Sequence, residues 1–155
     1  NDFANKPYQV IFVTGAKRYD DVKQQMAEKN IAAAKNVAVV PYISNMPQLM
    51  PRVLLVVGRA GATSLAEQTA LGKPMILIPS SYVTNDHQTK NARSLASAGA
   101  AEMITEDSLS GTTLFATIDQ LMTDDNKRQI MANAAMKMGV PDAADQFIAL
   151  IKSAI

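Results

Sequence analysis

The sequence predicts an α/β protein: a doubly wound, Rossmann-like parallel sheet with a helical C-terminal tail. Three observations carry this. As far as Ile104, short apolar runs alternate with stretches of helical periodicity. The runs are continuously apolar rather than alternating, which suits strands buried on both faces of a parallel sheet. Beyond Ile104 only helical patterns remain.

Taken in order, Gln9–Thr14 (QVIFVT) reads as the first strand and Asp20–Lys29 as the first helix. Val37–Val40 is the second strand. Tyr42-Ile43-Ser44-Asn45-Met46 follows it, either as a plain loop or as backbone left free to hydrogen-bond something flat. Val53–Val57 is the third strand and Ser64–Leu71 the next helix. Met75–Ile78, the helix Asp86–Ala98 and the strand Ala101–Ile104 complete the alternation. Gly72 and Gly99 stand just past two helix ends, where a left-handed residue is wanted. The tail helices are expected at Thr112–Met122, Asp125–Met138 and Ala143–Ile155. Met46, Met50, Met122, Met131 and Met136 occupy helix-like positions and read as core filler. No repeat, linker or low-complexity tract divides residues 1–155, so one domain is expected, with the helical tail from about residue 105.

Composition narrows the function. Hydrophobic content of 48% and charged content of 19% belong to a folded globular chain. Fifteen basic against fourteen acidic side chains, with 5% aromatics, predict no nucleic-acid surface. The absence of cysteine excludes a disulfide framework and a thiolate zinc site. The longest apolar runs fall far short of the roughly 20 residues that cross a bilayer. The first residues, NDFANKPYQV, lack a basic segment followed by an apolar one, so no signal peptide is expected.

Open α/β sheets bind ligands beyond the carboxyl ends of their strands. Two loops there are unusual: GRAGATS after Val57, and PSSYVTNDHQTKN after Ile78, which holds the single histidine. In the first, glycines ahead of a helix let backbone N–H groups approach an anion. Glu67, about one turn inside, suits a diol such as a ribose. Ser64-Leu65-Ala66-Glu67 also reads as a capping box, a role common in helices that bind nothing. The spacing is neither GxGxxG nor a P-loop, so nicotinamide cofactors and ATP gain no support. In the second loop Asp86 is the expected N-cap, and Ala92, Leu95, Ala96 and Gly99 the buried stripe. His87, Gln88 and Asn91 then share the first turn, either as a sugar-hydroxyl cluster or as a solvated helix start. One histidine without partners is no metal site, and no Asp-x-Asp clamp occurs. Neither a metal nor a cofactor is expected.

GRAGATSLAEQTALGKPMILIPSSYVTNDHQTKNA and the tail phrase GVPDAA resemble the C-terminal half of the MurG family of peptidoglycan glycosyltransferases, over essentially the whole chain. The resemblance implies the C-terminal domain of a glycosyltransferase-B fold. It implies transfer of N-acetylglucosamine (GlcNAc) from UDP-GlcNAc to lipid I, giving lipid II, with this chain holding the donor. By that resemblance the backbone at Ile43 reads the uracil edge and Glu67 binds the ribose hydroxyls. Gly61, Ala62 and Thr63 approach the sugar and diphosphate, and Gln88 and Asn91 take GlcNAc hydroxyls with His87 beside them. Arg59 fills the basic position before the loop.

The family's GGSxGA phosphate strand is not in this sequence, nor is its N-terminal acceptor domain, where the catalytic base and membrane-contacting patch belong. The resemblance puts that strand between Gln9–Thr14 and Val53–Val57. Direct closure of those two strands, unpaired edges, or self-association through a strand are the alternatives. No catalytic residue is expected in this chain, which alone should be inactive and make no membrane contact. The whole enzyme is expected at the cytoplasmic face of the bacterial membrane. Pro51-Arg52, where the family reads Ala-Asp, is expected to alter entry into the third strand. Rival readings are a non-catalytic donor-binding subunit of a split transferase, a UDP-GlcNAc epimerase of the same fold, and a ligand-free structural domain.

Overall fold

The computed structural model describes residues 2–31, 34–81 and 86–154. Its strands are β1 (Val10–Val13), β2 (Val37–Val40), β3 (Val56–Gly58), β4 (Met75–Leu77) and β5 (Ala101–Met103). Its helices are α1 (Tyr19–Glu28), α2 (Met46–Leu49), α3 (Ala62–Ala70), α4 (His87–Ser97), α5 (Gly111–Thr123), α6 (Asp125–Met138) and α7 (Ala143–Ser153). The chain divides into two compact units, residues 1–50 and 51–155.

In the first unit β1 and β2 pair in parallel, Val10 opposite Val37 through Val13 opposite Val40. Asn36 anchors the leading segment: its Nδ2 donates to the carbonyls of Phe3, Lys6 and Tyr8 at 2.7, 3.2 and 3.0 Å. Two residues past the end of α1 stands Asn30, whose φ of 54° makes it the left-handed residue that closes the helix. Ile31 N–H donates to Met26 O at 2.8 Å and Asn30 N–H to Ala27 O at 3.0 Å, the bond pair of a Schellman ending.

The second unit carries the parallel sheet β3-β4-β5. Strand β4 alternates cleanly across it. Met75 and Leu77 join Leu65 of α3, Ala92 and Leu95 of α4 and Ala135 of α6 on one face. Ile76 joins Leu121 of α5 and Met131 of α6 on the other. Both faces of β4 are thus buried, as its unbroken apolar text requires. Gly72 and Gly99 take φ of 59° and 76°. Each closes its helix as expected: Lys73 N–H to Gln68 O and Ala100 N–H to Leu95 O, both 2.9 Å. Gly139 stands where α6 crosses α3, and a Cβ on it would lie 2.7 Å from backbone atoms of Thr69 and Ala70.

The α/β class, with parallel strands and flanking helices, is as expected. Of the alternatives for the first and third strands, direct closure of β1 on β3 is not seen among the described residues. Three expectations are corrected. Burial on both faces fails for β1, where Ile11, Phe12 and Val13 are exposed. The third strand begins at Val56, not Val53. Its text is apolar enough, but the Lys73 ammonium takes the carbonyls of Pro51 and Val53 at 3.1 and 2.9 Å, holding that backbone outside the ladder. Burial lowers the pKa of Lys73. Of the methionines read as core filler, Met131 is buried, but Met46 and Met136 are exposed.

Candidate functional site

The site assembles at the carboxyl ends of β3, β4 and β5. After Gly58 the chain runs through exposed Arg59 and fully buried Ala60 to Gly61, the extended N-cap of α3 with φ −73° and ψ 135°. Leu65 N–H closes the first helical bond on Gly61 O at 3.0 Å. The amides of Ala62, Thr63 and Ser64 precede that bond and have no partner within the helix. Glu67 lies one turn beyond Thr63 and Ser64 on the same face, and all three are exposed.

This geometry removes the capping box. With Gly61 as N-cap, Ser64 is the third helical residue, and no side chain among the described residues caps the helix. Glu67 is then the sixth helical residue, too far along to reach back to the N-cap amide. Its carboxylate has no role in starting α3.

Helix α4 begins at His87, after Asp86 in the left-handed region at φ 53° and ψ 34°. Asp86 holds the N-cap position, but its side chain makes no capping bond. His87 is exposed, while Gln88 and Asn91 are half-buried because they bind the two preceding loops. Gln88 Oε1 accepts from Ser80 N–H at 3.0 Å. Asn91 Nδ2 donates to Ala60 O at 3.1 Å. The backbone partners fix which end of each amide is used, since an N–H can only donate and a carbonyl only accept. Gln88 therefore has its NH₂ end and Asn91 its carbonyl end for anything else. The buried stripe of α4 follows the expected spacing at Ala92 and Leu95, although buried Ala100 takes the position given to exposed Gly99. Residues 82–85 of the long polar loop lie outside the described residues.

A residue that no sequence motif marks joins these loops. Glu106 opens the tight turn Glu106–Ser108 after β5. Its Oε1 meets Arg59 Nη1 at 2.6 Å. Its Oε2 accepts from Ser81 N–H at 3.2 Å and from the Ser81 hydroxyl. Arg59 Nη1 also donates to Ile78 O at 3.2 Å. The Ser81 hydroxyl and amide, then the Arg59 guanidinium, lower the Glu106 pKa to about 2 against the opposing effect of burial. One carboxylate thus ties together the ends of three consecutive strands.

Ile43 belongs to the first unit, half-buried in the loop between β2 and α2. Among the described residues no group of three or more His, Cys, Asp or Glu side chains could hold a metal ion. No helix among them is long and apolar enough to cross a membrane.

Known proteins bear on this arrangement. The chain is 58% identical over 154 residues to a UDP-N-acetylglucosamine–N-acetylmuramyl-(pentapeptide) pyrophosphoryl-undecaprenol N-acetylglucosamine transferase of Limosilactobacillus reuteri, covering 99% of this chain and 42% of that protein. A protein of the same name from Levilactobacillus brevis is 59% identical over 152 residues, covering 98% of this chain and 41% of the relative. The chain thus spans about two fifths of the length of the curated relatives it matches. Among solved structures, MurG of Acinetobacter baumannii superposes with a TM-score of 0.78 at 25% identity, over 98% of this chain and 46% of that one. Residues 1–147 match the glycosyltransferase family 28 C-terminal domain, and the chain belongs to that family.

Proposed function

We propose that this chain is the donor-binding part of a MurG-type transferase that moves GlcNAc from UDP-GlcNAc to the lipid-linked muramyl-pentapeptide. The observation that carries the reading is the exposed Glu67 carboxylate above the first-turn amides of α3, which find no partner among the described residues, at the carboxyl end of a parallel strand. Ribose hydroxyls can donate to that carboxylate while the amides of Ala62, Thr63 and Ser64 face the diphosphate. Gln88 offers its NH₂ group as donor and Asn91 its carbonyl as acceptor, a complementary pair for sugar hydroxyls. His87 stands beside them, and the resemblance alone assigns the Ile43 backbone to the uracil edge. The reported relatives are named as transferases, which favours transfer over epimerisation.

In this reading an acceptor hydroxyl attacks the donor's anomeric carbon and UDP departs. This chain's share is to orient the donor and stabilise the developing diphosphate charge. The base and the acceptor-lipid groove belong to the part of the protein outside this chain, and the whole enzyme acts at the cytoplasmic face of the membrane without a cofactor. Calorimetry with UDP, ADP and GDP tests the nucleotide assignment: UDP is expected to bind and the purines not. Equal binding of all three would remove the assignment. Transfer to a lipid I analogue by the whole protein, and none by residues 1–155 alone, is the accompanying expectation.

A further inference from the structure

We propose that Glu106 is a positioning residue for the donor sugar: it does not touch the donor but fixes the two loops from which Gln88 and Asn91 take their orientation. This rests on the donor-binding reading above. Two arms lead outward from the carboxylate. Through Oε1 it holds Arg59, the residue before Ala60, and Ala60 O receives Asn91 Nδ2. Through Oε2 it holds Ser81, the residue after Ser80, and Ser80 N–H is received by Gln88 Oε1. Each sugar-facing amide is thus one backbone residue away from a group fixed by Glu106. Arg59 Nη1, shared between Glu106 and Ile78 O, adds a cross-tie from the β3 end to the β4 end.

The anchor is itself held. Ser108 N–H and Oγ both bond Thr105 O at 3.1 Å, and the Thr105 and Ser108 hydroxyls meet at 2.8 Å. Ile104 N–H, one residue earlier, bonds Leu77 O at 3.0 Å and continues the β4–β5 ladder. Glu106 therefore projects from a turn fixed to the sheet, and the loops are fixed to Glu106. Gly61, the N-cap of α3, lies two residues beyond Arg59, but α3 is held separately through its buried Leu65 and Thr69, so loosening the contacts of Glu106 should disturb the sugar more than the nucleotide.

The test uses the whole transferase that contains this domain, with UDP affinity measured by calorimetry and transfer from UDP-GlcNAc by steady-state kinetics. Glu106→Gln removes the charge and leaves one acceptor oxygen where there were two. The expected result is a loss of about tenfold or more in kcat/KM for UDP-GlcNAc, with Kd for UDP within about threefold of wild type. Ser81→Ala removes only the hydroxyl donor and should show the same selective pattern at about 2- to 10-fold. Glu106→Asp, which keeps the charge, should recover part of the loss. Parallel losses for UDP and UDP-GlcNAc together with a lowered Tm, or unchanged kinetics in both Glu106→Gln and Ser81→Ala, would overturn the proposal. Failure of wild type to bind UDP at all is a distinct result and overturns the donor-binding reading itself.

Discussion

Replacing Glu67 by alanine separates ligand binding from helix stability more sharply than any other change in the site. Glu67 is exposed, and no side chain among the described residues caps α3. Alanine has a helix propensity at least equal to that of glutamate, so stability should move by no more than about 0.5 kcal/mol. In a chain of 155 residues that corresponds to a Tm change of about 2 °C at most. Had Glu67 belonged to a capping box, a loss nearer 1 kcal/mol would be expected. Binding should respond quite differently. Hydrogen bonds to a charged group contribute about 1.5–3 kcal/mol, so UDP-GlcNAc affinity should fall roughly 10- to 100-fold. Calorimetry and thermal unfolding of the same two proteins decide the matter. A 2′,3′-dideoxyribose analogue of UDP should bind wild type about as weakly as UDP binds Glu67→Ala. Should that analogue bind wild type as tightly as UDP does, the carboxylate does not hold the ribose. A Tm drop of several degrees in Glu67→Ala would show that the helix start is misread.

Three further outcomes follow from the packing and the charges. Gly139→Ala should cost about 1–3 kcal/mol in denaturant unfolding, because the new Cβ meets backbone atoms of Thr69 and Ala70 at 2.7 Å that cannot swing aside; an unchanged midpoint would refute the close crossing of α3 and α6. Asp124→Ala and Ser110→Ala should each cost about 1 kcal/mol, since these side chains accept from Lys127 N–H at 2.8 Å and Thr113 N–H at 3.0 Å as N-caps; asparagine at 124 should restore most of that loss. Glu106, lowered from 4.5 to about 2 in the folded chain, contributes stability that is complete above pH 4.5 and lost as pH falls towards 2. The stability difference between wild type and Glu106→Gln should therefore be flat above pH 5 and shrink below it; a difference independent of pH down to 2 would show that the charge contributes nothing.

What the sequence disclosed divides along a physical line. Patterns set by neighbours in the chain were legible. The Schellman glycines at 72 and 99, the α6 span Asp125–Met138 and the β2 span Val37–Val40 all stand where local chemistry puts them. Errors arose where a distant group intervened. The apolar neighbours of Val53 predict a strand there, while the Lys73 ammonium, far along the chain, claims its carbonyl. The exposure of β1 likewise could not be read from QVIFVT, because an apolar run reports what a strand can bury, not what covers it.

The same line runs through the site. Gly61, Thr63, Glu67, Gln88 and Asn91 lie in two compact stretches of sequence, at or just before the helices that periodicity predicts beyond two strand ends, and the family resemblance supplies their roles. Yet Ser64 and Glu67 satisfy the capping-box spacing and do not form one, because Gly61 already supplies the extended N-cap residue. A spacing rule names partners without knowing where the helix begins. Glu106 shows the opposite failure. It fits no motif, and its partners Arg59 and Ser81 are 47 and 25 residues away. Only the parallel order β3-β4-β5 brings the three strand ends side by side, so that one carboxylate reaches both loops. A site of this kind has two layers. Side chains that face the ligand cluster in sequence because a helix start presents them together. Side chains that hold those loops in place are scattered, because neighbouring strand ends in a parallel sheet are always separated by a whole crossover.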